Sequence, residues 1–365
     1  ANNIMVNIQG NELRDSPQNR DSNALKNADV WIDIRNLTYV PSGTGGYEGD
    51  RYYTPGGLLE VGGYLANTAH KIGEWSAVGG TIALSAPEVI TQSGSVFDIS
   101  GGSVRYEAGN IRTTNFLGSD GRLYNINDAR ADMTFYGLGT GFIRKHERWN
   151  VTEVWTSPFG RGRESVRWEE GYTVGRDAGR LILSTPTAIF EGDILADVVD
   201  GERQSTARPD GAADGYKLAQ NVVAQAGTLA IGQYTALGLT NAYTSDVRIG
   251  DVANITAAMG SGDAHGRDTN TVWLNGQHLT EQGLGGLMLA TRKAITVESD
   301  LALADGGVFD LIAPIVEINA NVTVRGGDIL ATNILAAQTT QVLVHEGIAS
   351  ISLGAGAVLD VSGRW

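Results

Sequence analysis

The chain has no cysteine in 365 residues. That removes thiolate catalysis, iron–sulfur clusters and cysteine-ligated zinc from consideration. It also removes disulfide staples, so the fold must rest on core burial and backbone hydrogen bonds, and the zero count fits an oxidising or a reducing compartment equally. Proline is scarce at 8 residues. Basic charge is short as well: 27 Lys and Arg face 41 Asp and Glu, for a net charge of −14. A global pull toward nucleic acid or an anionic membrane is therefore not expected. No apolar run approaches the roughly 20 residues that span a bilayer as a helix. The five histidines, His70, His146, His265, His278 and His345, never show the H-x-x-x-H spacing of a helical zinc site.

What the chain does have is glycine, at 49 residues, alongside a hydrophobic fraction of 42%. Glycine does not recur every third residue, so the chain is not collagen, and the apolar fraction is too high for a disordered linker. The combination suggests many short strands joined by tight turns. The turns repeat. GGTIALSAP starts at Gly79, AGRLILSTP at Ala178, GGLMLATR at Gly285, GGVFDLIAP at Gly306 and GGDILATN at Gly326, the last three spaced by 21 and 20 residues. A fixed period of this size is the mark of a solenoid. Over Gly306 to Val324 the alternation places Phe309, Leu311, Ile315, Ile318, Val322 and Val324 inward and Asp310, Glu317, Asn319 and Thr323 outward. The expected fold is all-β: a right-handed parallel β-helix of about 20 residues per coil, with rungs about 4.8 Å apart and irregular insertions outside the coils.

One phrase is written twice, SVFDISGG from Ser95 and AVLDVSGR from Ala357. Catalytic motifs are seldom duplicated; structural corners often are. Asp98, Ser100 and Gly101, and again Asp360, Ser362 and Gly363, are read as corner residues. Their carboxylates and hydroxyls would hold amides of the neighbouring turn, and their glycines would take positive φ. A calcium site is not expected, because the nonapeptide of calcium β-rolls is absent.

Three stretches break the rhythm. Residues 1–78 form an irregular segment joining the solenoid. Residues 79–104 and 178–198 carry coils, 199–280 carry coils with long loops, and 281–365 carry regular coils. Within 199–280, GTLAIGQY and SDVRIGDVANITA read as strands, although TSDVRIGDVANITAAM also allows a short helix. Residues 105–177 are an insertion expected to pack on the coil. The window 105–180 holds 12 Lys and Arg against 10 Asp and Glu, and 11 of the 26 aromatic residues. Arg144, Lys145, Arg148, Trp149, Trp155, Arg161, Arg163 and Trp168 form its candidate contact surface. Aromatic faces stack on sugar rings and Arg forks bind carboxylates. The plainer reading is a small core in which Trp shields the coil and Arg pairs with Glu147, Glu153, Glu164 and Glu169.

DISGGSVRYEAGNIRTTNFLGSDGRLYNINDARADMTFYG, RWEEGYTVGRDAGRLILSTPT and the closing GAVLDVSGRW resemble large bacterial exoproteins of the filamentous haemagglutinin family. NELRDSPQNRDS, DVWIDIRNLTYV and DRYYTPGGLLEVGGYL near the start resemble them too. The resemblance implies a segment of a long secreted β-helical protein that passes an outer-membrane secretion pore by two-partner secretion. It would act at the bacterial cell surface as an adhesin or biofilm scaffold. Partners would be a glycan or protein receptor, or further copies in self-association or a filament, and not nucleic acid. The chain opens without Met and shows no secretion-cap motif, so it is expected to come from the interior or later part of a longer precursor. The family offers no catalytic residue to map here, and no cofactor is expected.

A second reading is a polysaccharide lyase or hydrolase on the same scaffold, or a haem- or glycan-binding module. Lyases and hydrolases need carboxylates on adjacent rungs; Asp98, Asp177, Asp193, Asp197 and Asp200 are available. Glu169 and Glu170 are adjacent, so on a strand they point to opposite faces and make a poor pair. His146, in FIRKHERWN, is the one haem-ligand candidate. GLGTGF at Gly137 lacks the strand–helix unit and phosphate lysine of a nucleotide loop, and no serine sits in a G-x-S-x-G elbow.

Overall fold

The computed structural model describes residues 3–10, 23–34, 37–66, 72–139, 141–149, 151–156, 162–202, 204, 223–235, 238–241, 243–251, 270–333 and 349–363. The protein is mostly β, and its described α-helices run only four to six residues. It divides into two compact units. One gathers Ala1–Lys71, Arg105–Val174 and Gly201–Val222; the other gathers Ile72–Val104, Gly175–Asp200 and Val223–Trp365.

The second unit is built from parallel ladders. The first ladder runs Thr81–Ser85, Arg180–Ser184, Thr228–Ile231, Gly286–Ala290, Val308–Ile312 and Asp328–Thr332. The second runs Glu88–Thr91, Thr187–Phe190, Thr271–Asn275, Asp246–Gly250, Ala294–Val297, Ile315–Ile318 and Ser350–Leu353. Shorter strands make a third set: Val96–Asp98 pairs Asp193–Leu195, and Leu301–Ala302, Val322–Thr323 and Leu359–Asp360 pair in turn. Register carries like onto like. Ile82, Leu181, Leu229, Leu287, Phe309 and Ile329 form one row, and Val89, Ala188, Val272, Val247, Ile295, Val316 and Ile351 another. The interior members of these rows are buried in one core, where each Leu or Phe contributes about 1.5–3 kcal/mol relative to exposure. At the last strand of the second ladder the inward row loses its cover, and Ile351 is 54% exposed.

The residue before each first-ladder strand is glycine: Gly80, Gly179, Gly227, Gly285, Gly307 and Gly327. Their carbonyls accept the amides of Arg180, Thr228, Gly286, Val308 and Asp328 one step along, at 2.8 to 3.2 Å. A Cβ on Gly307 would lie 2.5 Å from the Gly285 carbonyl oxygen, and one on Gly179 or Gly327 would collide with the carbonyl of the preceding glycine in the column. At these three positions close stacking of backbone, rather than positive φ, demands glycine, whereas a Cβ on Gly80 would meet nothing within 4 Å and one on Gly227 would meet the side chains of Ile99 and Ala196. Corresponding residues Leu287, Phe309 and Ile329 show that consecutive repeats differ in length.

Two details depart from the sequence reading. Val316, not Ile315, points inward, because the buried Ala313–Pro314 corner shifts the alternation. Asp246–Gly250 is a strand with Val247 and Ile249 in the core, so the helix allowed over residues 244–259 does not form in that part, and residues 252–259 lie outside the described residues.

In the other unit every described strand pairing is antiparallel. Gly109–Gly118 is central, flanked by Leu123–Asn125, Phe135–Leu138 and Glu164–Glu169. Asn3–Asn7 pairs Asp29–Asp33, and Gly141–His146 pairs Val151–Thr156. Its core joins Val6, Ile8, Val30, Ile32 and Leu59 from the first 71 residues to Phe116, Ile126 and Phe135. The Phe116 and Phe135 rings meet at 5.2 Å. Residues 1–78 are therefore not simply an irregular lead-in. Most of them build one antiparallel unit with the aromatic-rich window, because neither segment alone supplies both faces of that core.

Candidate functional site

The aromatic and Arg surface comes first. Gly141–His146 and Val151–Thr156 form a hairpin in which Arg144 opposes Glu153, Lys145 opposes Thr152 and Phe142 opposes Trp155. The side chains of Arg144, Lys145 and Trp155, and the whole of Arg161, lie outside the described residues. Trp149 stands at the hairpin turn, 67% exposed, with its ring 5.7 Å from that of His146. His146 in turn places Nε2 3.3 Å from Glu153 Oε2. Trp168, on Glu164–Glu169, is 58% exposed, and its Nε1 donates to Glu170 Oε1 at 2.8 Å. Neither Trp149 nor Trp168 forms the small shielding core that the plainer reading expected. Arg148 and Arg163 are exposed, and the Arg163 guanidinium only grazes the Asp29 carbonyl at 3.5 Å. Arg167 is different: it donates to the buried Asp33 carboxylate at 2.9 Å and pins its strand.

The two corner motifs fold alike at one end. The Ser100 amide donates to Asp98 Oδ1 at 3.0 Å, and the Ser362 amide to Asp360 Oδ1 at 2.9 Å. Each carboxylate accepts an amide of its own turn rather than of a neighbouring one, and Asp360 Oδ2 also lies 4.0 Å from Arg325 Nε. Hydrogen bonds from the Ser100 amide and hydroxyl hold the Asp98 carboxyl below its ordinary value, and those from Ser362 do so for Asp360. The glycine expectation fails: neither Gly101 nor Gly363 has positive φ. Gly101 is needed for space, since a Cβ would collide with the Arg176 carbonyl, whereas Gly363 meets nothing.

A third place is a groove that the sequence did not announce. Asn275 caps the short helix Gly276–Glu281, its side-chain oxygen accepting the His278 amide at 2.9 Å. The helix lies between the halves of the third strand set: the Ala302 amide donates to Thr280 Oγ1 at 3.0 Å, and His278 Nε2 stands 2.9 Å from Asp193 Oδ1. Beside it opens a groove of about 470 Å³ walled by Glu191, Asp193, Trp273, Gln277, His278 and Glu281, among others. Trp273 faces outward from the second ladder, and the Arg248 guanidinium sits 5.3 Å over its ring.

No family model, curated protein or solved structure matches the chain. The site reading therefore rests on geometry.

Of the lyase-type carboxylates, Asp193 lines the groove, while Asp177 accepts the Gln225 amide at 2.9 Å and Asp98 holds its own turn. The pairing of His278 with Asp193 escaped the sequence because 85 residues separate them. The sole local signal was Asn-Gly ahead of a short helical stretch; the partner becomes visible only once the ladders set which strand lies beside which. Among the described residues no cluster of His, Asp and Glu could hold a metal ion.

Proposed function

We propose that this chain is a structural and adhesive segment of a large secreted bacterial surface protein of the filamentous haemagglutinin kind. In this reading the ladders are the faces of a right-handed parallel β-helix, the hand that parallel crossovers almost always take. The observation that carries the proposal is the in-register column of six glycines beside continuous apolar rows. Such stacking lets internal strands hydrogen-bond on both edges and yields a stiff body whose outer surface is left for contact. Trp149, Trp168, Arg148 and Arg163 supply exposed contact groups on the antiparallel unit.

Beads coated with the purified chain test this. They are expected to capture epithelial or bacterial cells under flow, and the Trp149→Ala/Trp168→Ala variant to capture several-fold fewer. Capture no better than with albumin-coated beads overturns the proposal. The groove beside His278 and Asp193 is the observation favouring the second reading, a polysaccharide lyase or hydrolase. Release of unsaturated or reducing ends from a panel of polysaccharides would move the function to that class.

A further inference from the structure

We infer that the groove beside the helix Gly276–Glu281 binds an amino sugar, a hexose ring carrying a protonated amine, as a unit of an oligosaccharide. This deepens the contact-making reading above and rests on it.

The aromatic wall carries the inference. Trp273 is outward-facing and bounds the groove, while Arg248 stacks on the indole without itself lining the cavity. A ring fixed by packing gives a sugar a flat apolar platform at little entropic cost. Trp273 lies beside the buried Ile189 on the same outward row of the second ladder, so the platform belongs to a paired strand and not to a loop. Around it stand groups that exchange hydrogen bonds with hydroxyls: the Gln277 amide, the Asn275 side chain and Ser93. His278 is oriented by Asp193 and carries a second polar neighbour, Gln282 Nε2, at 2.8 Å.

Charge selects among sugars. The described walls include Glu191, Asp193 and Glu281 and neither Lys nor Arg. Each carboxylate has about four acceptor sites, so the internal bonds to His278 and from Gln277 leave capacity for a ligand ammonium. An acidic polysaccharide would be repelled; a neutral one would gain the stacking and the hydroxyl hydrogen bonds but no charge pairing.

Calorimetry with the full chain decides it, using the hexamer of unsubstituted glucosamine, its fully N-acetylated counterpart and spermidine. The glucosamine hexamer is expected to bind, at least tenfold more tightly than either of the others, and more weakly as salt rises. Trp273→Ala should lose at least tenfold, and Trp273→Phe should keep most of the affinity, which guards against a variant that merely unfolds. Glu281→Gln should weaken the glucosamine hexamer and leave the N-acetylated one unchanged. No binding by the wild type, equal binding of spermidine, or full affinity in a folded Trp273→Ala overturns the inference. Cell capture that is unchanged in Trp273→Ala would sink this groove as a contact site while leaving the adhesive reading intact.

Discussion

The two units solve the same problem, pairing backbone amides between strands, by different routes. In the antiparallel unit connections have no fixed length: Leu123–Asn125 pairs Gly109–Gly118 through a short turn, and Glu164–Glu169 joins the same strand from much further along the chain. In the parallel unit each ladder strand finds its neighbours a whole repeat away or further, as Thr81–Ser85 does with Arg180–Ser184, and only the small hairpin of Gln233–Thr235 with Gly238–Asn241 departs from this among the described strands. The first route lets a core be irregular, with Phe116 and Phe135 tilted against one another. The second forces the same position to suit every layer, hence the glycine column and the aliphatic rows. Repetition is thus a consequence of stacking, and it is strongest where backbone approaches backbone.

The largest effects should come from the cores themselves. Phe309 and Phe116 are both fully buried, one in each unit. Phe309→Ala and Phe116→Ala should each cost about 3–5 kcal/mol. Hydrogen exchange read residue by residue distinguishes them. Phe309→Ala is expected to speed exchange at the ladder amides of Leu289 and Leu330, and Phe116→Ala at those of Val30 and Ile126. Equal loss of protection in both units from either variant would show that the two cores open as one, and the comparison would collapse.

Glycine should sharpen the contrast at a smaller scale. Gly179→Ala would drive a methyl group into the Gly80 carbonyl, whereas Gly109→Ala, on the central strand of the antiparallel unit, meets nothing within 4 Å. The first should destabilise by about 1–3 kcal/mol as overpacking does; the second should stay within about 0.5 kcal/mol. Urea midpoints for the two variants measure this. A neutral Gly179→Ala would mean the column is a compositional habit and not a packing constraint.

How much of this was legible beforehand follows the same divide. The Gly-Gly segments and the inward positions Phe309, Leu311, Ile318, Val322 and Val324 could be read because each repeats a constraint imposed by its neighbours. Ile315 was misassigned where the Ala313–Pro314 corner offsets the count, something alternation within one strand cannot reveal. Gly101 and Gly363 look identical in sequence, yet one is hemmed in by the Arg176 carbonyl and the other is not, since crowding depends on what is stacked beside the turn. The antiparallel unit was nearly opaque. Its core joins Ile32 to Phe116 across segments with no shared period. The groove was opaque for a related reason: Trp273, His278 and Asp193 meet only through ladder order.

The smallest effects lie in the carboxylates, and they differ in sign. In the antiparallel unit, Asp120 is held below its ordinary value chiefly by the Tyr124 hydroxyl and Asp132 by the Arg130 guanidinium. In the parallel unit Asp98 and Asp360 are lowered by their own serines, but Asp310 is raised by desolvation. It sits on an outward row between Met288 and Leu330, where packing against apolar neighbours penalises the charged form. For the lowered groups the unfolded chain binds protons more readily, so their stabilisation is complete above the ordinary carboxylate value and is lost as pH falls through the depressed one. For Asp310 the folded state binds the proton more tightly, so stability declines as pH rises from the ordinary value through the raised one. Asp310→Asn should therefore stabilise the parallel unit slightly at neutral pH, by less than about 1 kcal/mol given solvent screening of a half-exposed group. The gain should vanish in acid, where the wild-type carboxyl is already neutral. Asp98→Asn should do the reverse, destabilising at neutral pH and converging on wild type in acid. Urea midpoints of both variants across this range test the pair; parallel pH curves for the two would mean that burial beside Met288 and Leu330 does not govern Asp310.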